Sequence, residues 1–150
     1  MTHASRIRTF LWFDGRLDEA LAFYRHTLDD VVIHSENRGQ DGRLFTADFT
    51  MLGAEFIGMN MPGGPAFNEA ISLSIDCDGQ DETDRLWAAF TERGEAGRCG
   101  WLKDEFGLSW QVSPRQMREH LGDPDPERSA YAWAALRDMT KIVIAELIRP

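Results

Sequence analysis

Cys99-Gly100-Trp101-Leu102-Lys103-Asp104-Glu105-Phe106-Gly107-Leu108-Ser109-Trp110-Gln111-Val112 is the stretch on which the fold turns. It reads as a strand, a short acidic turn and a second strand. Asp104 to Gly107 supply the turn, because Asp and Gly tolerate the left-handed backbone that a hairpin loop needs. Leu108 to Val112 alternate in polarity, which sends Ser109 and Gln111 to one face and Trp110 and Val112 to the other.

Working outward, Ala70 to Cys77 repeats that alternation. Ile71, Leu73, Ile75 and Cys77 form an apolar row that predicts a covering helix. Ala70, Ser72, Ser74 and Asp76 form a small, polar row, so this strand is expected to line a wet cavity. Gln80 to Arg93 supplies the helix, with Leu86, Trp87 and Phe90 toward the core. The same order appears earlier in the chain. Ile7 to Phe13 reads as a strand, and Asp14-Gly15 stops it. Leu17 to Thr27 is a helix with apolar residues at 17, 20, 21, 24 and 28. Val31 to Ser35, Leu44 to Met51 and Ala54 to Met61 read as strands, with turns at Gly39 to Gly42 and at Leu52-Gly53. Pro62-Gly63-Gly64-Pro65 is a linker. Gly15 with Phe23 and Gly79 with Trp87 recur at the same separation, a faint echo of a duplication.

The predicted class is therefore α+β, with two tandem βαβββ modules in one domain. Module one spans about 6–62 and module two about 68–113, and a helical tail occupies 114–150. Each sheet carries its helix on one face and leaves the other open. Phe10, Trp12 and Trp110 are assigned to the helix-covered core, whereas Trp101 and Phe56 are assigned to ligand contact. The tail reads as helices at Arg115 to Leu121 and Glu127 to Met139, broken at Asp123-Pro124-Asp125-Pro126. Lys141 to Ile148 fits either a last helical turn or an added strand.

Composition excludes several classes of function. A chain of 150 residues can bury one real core. The formal charge of −9 argues against a nucleic-acid partner, which needs a basic surface. No apolar run approaches the roughly 20 residues of a membrane span. Met1 to Arg8 lacks the apolar centre of a signal peptide, and two cysteines make no disulfide framework, so a reduced cytoplasmic setting is expected. His3, His26, His34 and His120 are not spaced as metal ligands, and a solvated or core-edge role is expected for each. Cys99 has no activating His nearby and reads as an inert thiol. The acidic clusters Asp29-Asp30, Asp81-Glu82-Asp84 and Asp104-Glu105 fit caps, turns and solubility.

Several segments together resemble the vicinal oxygen chelate superfamily of glyoxalases, bleomycin resistance proteins and extradiol dioxygenases. More closely they resemble its PhnB-like branch, often labelled 3-demethylubiquinone 3-methyltransferase-like. The segments are Phe10-Leu11-Trp12-Phe13-Asp14-Gly15 running into Glu19-Ala20-Leu21-Ala22-Phe23-Tyr24, then Phe67-Asn68-Glu69-Ala70-Ile71-Ser72, Asp84-Arg85-Leu86-Trp87, Cys99-Gly100-Trp101-Leu102-Lys103-Asp104 with Phe106-Gly107, and Lys141-Ile142. The resemblance implies paired modules forming a U-shaped cavity, commonly in homodimers. In metal-dependent members it implies one ligand from each of four strands. Those positions fall on Thr9, Asn60, Ala70 and Gln111, with Glu69 as a substitute for Ala70.

That set is chemically poor, because transition metals want imidazole, thiolate or carboxylate donors. No metal cofactor is therefore expected, and Glu69 and Gln111 are the groups a divalent ion would have to use. Nor does the chain carry the Gly-rich strand-loop-helix that S-adenosylmethionine would require. The function expected is a metal-free binder of an unidentified small organic molecule, with Thr9, Leu11, Phe56, Asn60, Ser72, Trp101 and Gln111 as pocket residues. The alternatives are a glyoxalase-, dioxygenase- or isomerase-like enzyme with a non-standard or absent metal, and a dimeric regulatory protein with a vestigial cavity. The tail either packs on the outside of the sheet or reaches across a dimer.

Overall fold

A computed structural model describes residues 4–150 and divides the chain into two units, the first ending at Ala66 and the second comprising Phe67–Pro150. His3 lies outside the described residues. In the first unit, β1 (Thr9–Phe13) leads into α1 (Leu17–Thr27), followed by β2 (Val31–Arg38), β3 (Leu44–Met51) and β4 (Ala54–Asn60). The strand order is β1-β4-β3-β2, with β1 parallel to β4 and the other pairs antiparallel. The second unit repeats this with β5 (Leu73–Cys77), α2 (Gln80–Thr91), β6 (Glu95–Ala96), β7 (Trp101–Lys103) and β8 (Ser109–Pro114), in the order β5-β8-β7-β6. These are the two βαβββ modules expected.

In the first unit α1 buries Leu17, Ala20, Leu21 and Tyr24 of the 3.6-residue stripe read from the sequence, with Leu28 buried just past its end and Thr27 buried as well. Asp18 and Glu19 in its first turn and Arg25 and His26 in its last complement the helix dipole. Its N-terminus lacks a cap of its own. Asn60 fills that role from the end of β4: Oδ1 accepts from Leu17 N at 2.8 Å while Nδ2 donates to Leu44 O at 2.8 Å.

Which face α1 covers is set by Gly58, where a Cβ would lie 2.6 Å from Leu17 Cδ1. Leu11 pairs with Gly58 and shares its face, as do Phe13 with Asn60 and Thr9 with Phe56. Leu11 and Phe13 are accordingly 4% and 1% exposed, whereas Phe10 and Trp12 are 48% and 37% exposed. The core assignment of Phe10 and Trp12 is thus corrected. Both rows of this strand are apolar, so alternation alone could not identify the covered one.

The fifth strand starts later than expected. Asn68 Oδ1 accepts from Ala70 N at 2.9 Å and holds 68–70 as a turn, so Ala70 and Ser72 precede the strand and Ile71 is exposed. From Leu73 onward the expected split holds, with Ile75 and Cys77 buried and Ser74 and Asp76 open.

The tail packs on the second unit. It comprises α3 (Gln116–Leu121), α4 (Pro126–Asp138) and a 3-10 turn at Ile144–Leu147, which settles the open choice for the last segment. Asp125 caps α4 by accepting from Glu127 N, with Pro126 at the first helical position. Ala132, Leu136, Met139, Ile142 and Leu147 form a separate apolar cluster, joined by Cys99, Met117 and Leu121. No helix among the described residues is long and apolar enough to cross a membrane.

Candidate functional site

The hairpin of β7 and β8 is organised by a buried carboxylate. Asp104 is 3% exposed. Its Oδ1 accepts from Phe106 N at 2.9 Å and from Leu108 N at 3.0 Å, and its Oδ2 accepts from Trp110 Nε1 at 2.9 Å. Trp110 in turn lies under α2 with its ring centroid 4.8 Å from that of Phe90. The acidic turn is therefore structural, and it does more than solubilise. It locks the register in which Trp101 faces Gln111 and Lys103 faces Ser109.

That register gives the sheet of the second unit two unlike faces. Leu73, Ile75, Cys77, Leu102, Trp110 and Val112 fall on the face covered by α2. The open face carries Ser74, Gln111 and Trp101 in one cross-strand row, and Ser109, Lys103 and Glu95 in the next. A cavity of about 390 Å³ is lined by Glu69, Glu95, Arg98, Trp101, Lys103 and Ser109. This is within the range that holds small organic ligands.

The chemistry of the cavity is mixed. Lys103 Nζ donates to Glu69 Oε1 at 2.9 Å, and this hydrogen bond holds the ammonium above its usual pKa. Trp101 keeps a partly exposed ring in the wall. Ser109 Oγ is buried with no hydrogen-bond partner among the described residues. Arg98 donates to Arg137 O at 2.8 Å, which fixes the outer rim.

The residues singled out from the sequence fall into two groups. Trp101 and Glu69 line the cavity, and Gln111 Nε2 donates to Ser72 Oγ at 3.0 Å beside it. Thr9, Leu11, Phe56 and Asn60 belong to the first unit. There Leu11 is buried against α1, Phe56 stacks on Phe49 at 5.4 Å, and both amide atoms of Asn60 are committed to backbone. Phe56 also borders a second cavity of about 90 Å³, walled by Arg6, Arg8, His34, Asp48 and Glu55, which has room for a few waters only. His34 Nε2 lies 3.2 Å from Thr50 Oγ1. Lys103, Ser109, Glu95 and Arg98 were not picked out from the sequence. The two-residue alternation that places Gln111 on the open face also places Ser109 and Lys103 there, and was the available signal.

The four implied ligand positions do not suit a transition metal. Ala70 offers no side-chain donor and Asn60 is consumed as a helix cap. Among the described residues, no group of three or more His, Cys, Asp or Glu could hold an ion. The thiols are equally unsuited to nucleophilic work. Burial pushes Cys77 up to about 11, and Cys99 Sγ lies 3.3 Å from Leu136 O. A raised folded-state pKa means that the thiol contribution is intact below the unfolded value, near 9, and is lost as pH climbs toward 11. Denaturation curves should therefore show stability falling across that window by no more than about 2–3 kcal/mol, with Cys77→Ala flattening the fall. A fall of equal size in Cys77→Ala would assign it to other groups.

A family model described as 3-demethylubiquinone-9 3-methyltransferase matches residues 5–113. Among solved structures, the PhnB protein of Bacillus cereus is 29% identical, with a TM-score of 0.68 over 73% of this chain and 99% of its own. Protein PA1353 of Pseudomonas aeruginosa is 21% identical, with a TM-score of 0.60 over 74% of this chain and 98% of its own. The fosfomycin resistance protein FosX of Listeria monocytogenes, solved with Mn(II) and sulfate, is 15% identical, with a TM-score of 0.51 over 72% of this chain and 90% of its own. At the last two identities the likeness is one of fold. Comparison with curated proteins finds no match.

Proposed function

The chain belongs to the 3-demethylubiquinone-9 3-methyltransferase family, the PhnB-like branch of the vicinal oxygen chelate superfamily, and from that premise we propose that it binds a small organic molecule in the cavity beside Trp101 without a resident transition metal. One observation carries this reading. The partly exposed Trp101 ring and the Lys103–Glu69 ion pair share a cavity of about 390 Å³. An aromatic ring supplies contact area, and the charged pair supplies direction. Flat molecules bearing a hydroxyl or carbonyl match both features. Methyl transfer from S-adenosylmethionine has less support, because that cofactor favours a Gly-rich turn at the end of a doubly wound parallel sheet. Each sheet here has a single parallel pair.

Saturation-transfer NMR with 2-naphthol and related bicyclic aromatics tests the reading. Binding is expected with wild type, weakened at least tenfold in Trp101→Ala and about fivefold in Lys103→Met. Those losses correspond to one stacking contact and one hydrogen bond to a partly exposed ammonium. Unchanged affinity in both variants would place the ligand elsewhere. Metal analysis of protein purified without chelator addresses the other half of the proposal. Stoichiometric metal that is lost on replacing Gln111 or Glu69 would overturn it.

A further inference from the structure

The loop that walls this cavity holds an unfavourable backbone. Cys99 and Gly100 are successive left-handed residues, with φ of 57° and 83°. A side chain in that region is disfavoured and persists only where the surroundings hold it. Here the holding groups come from the tail. Cys99 N donates to Met139 O at 2.9 Å, and Gly100 N donates to Thr140 O at 2.7 Å. On either side of this pair, Gly97, Arg98 and Trp101 face the cavity.

The tail is itself clasped to the start of α2. Gln80 Nε2 donates to Ile142 O at 2.9 Å, and its Oε1 accepts from Ile144 N at 2.8 Å. Lys141 pairs with Asp84 at 2.7 Å. The Ile142 side chain is fully buried and lies against Gly100. The match to the family model stops at residue 113, before any of these tail groups.

We propose that the segment Met139–Ile144 is a positioning element of the ligand site: by holding Cys99 and Gly100 in the left-handed conformation, it sets Arg98 and Trp101 against the cavity. This rests on the reading of that cavity as the binding site. Ligand occupancy and tail docking are then coupled, and the coupling is reciprocal.

The test uses the full chain labelled with 5-fluorotryptophan, with Trp101 assigned by Trp101→Phe. Ile142→Asp releases the segment, and Ile142→Leu serves as the conservative rescue. Gln80→Ala removes two of its hydrogen bonds without touching the apolar core, so it gives a graded version should Ile142→Asp unfold the unit. In the releasing variants, amide exchange at Cys99 and Gly100 is expected to quicken at least tenfold. The Trp101 fluorine resonance should shift or broaden while that of Trp12 stays put. The affinity for 2-naphthol should fall at least fivefold, and Ile142→Leu should restore all three. The proposal is overturned if amide 144 exchanges freely while Trp101 and the Cys99 and Gly100 amides are unmoved. If Trp101 moves but wild type does not bind 2-naphthol, the positioning role stands and the ligand reading fails alone.

Discussion

Asp104→Ala should destabilise the second unit by about 4 kcal/mol. The carboxylate accepts from two turn amides and one indole N–H, the bonds from Leu108 N and Trp110 Nε1 being buried and that from Phe106 N part-buried. Truncation strands three donors at once. A stranded buried donor costs about 1–3 kcal/mol, and the three losses share one relaxation, so the sum falls short of full additivity. Asp104→Asn should cost about half as much. Its oxygen can still serve the turn amides, but its NH2 group then faces Trp110 Nε1–H, donor against donor. Guanidinium melts of the two variants measure this directly. A loss below about 1 kcal/mol in Asp104→Ala would show that the turn is held by Gly107 and the strand ladder instead. Because the turn fixes the Trp101–Gln111 and Lys103–Ser109 pairs, the same variant should also abolish binding in the cavity.

Gly100→Ala is the second large effect, at about 3 kcal/mol. A Cβ at this position would lie 2.7 Å from Ile142 Cδ1 and 3.0 Å from Val112 O. The first neighbour is the end of a flexible side chain, but the second is backbone of a central strand and cannot yield. A left-handed alanine adds about 1–2 kcal/mol, and the overpacking adds a similar amount. Thermal melts should show the loss, and amide exchange should show it concentrated at residues 99–101 and 139–142. A variant as stable as wild type would mean that the loop relaxes without cost, which would also undercut the coupling of tail and cavity.

Much of this molecule was legible beforehand because short-range periodicity carries it. The stripe at 17, 20, 21 and 24 defines α1, and the alternation from Leu73 to Cys77 defines a sheet with one wet face. Trp101 and Gln111 are on the open face for the same reason. What stayed hidden depended on side-chain partners that the strand and helix periods do not specify. Leu11 looked available to a ligand because both rows of β1 are apolar, and Phe56 on β4 was read as a ligand contact, yet both are buried in the first unit. Asn60 looked like a donor on a pocket wall until Leu17 N and Leu44 O used both ends of its amide. Asp104 looked like a solvated turn acid, since nothing local shows that Trp110 folds its indole back over it.

By itself, then, the sequence determined the two βαβββ modules, their order and the polarity of the second sheet. These follow from hydrogen-bonding periods of two and 3.6 residues, which any window of the chain displays. Only the tertiary structure decided which row of β1 the helix covers, where the carboxylate of Asp104 goes, and that the tail seals the loop behind Trp101. The first and the last depend on contacts across about forty residues, Gly58 with Leu17 and Gly100 with Thr140, whereas Asp104 is met by groups two to six residues away whose convergence no strand or helix period specifies. The hairpin that identifies the fold therefore also holds the cavity, but the groups that shape it for a ligand converge only once the chain has folded.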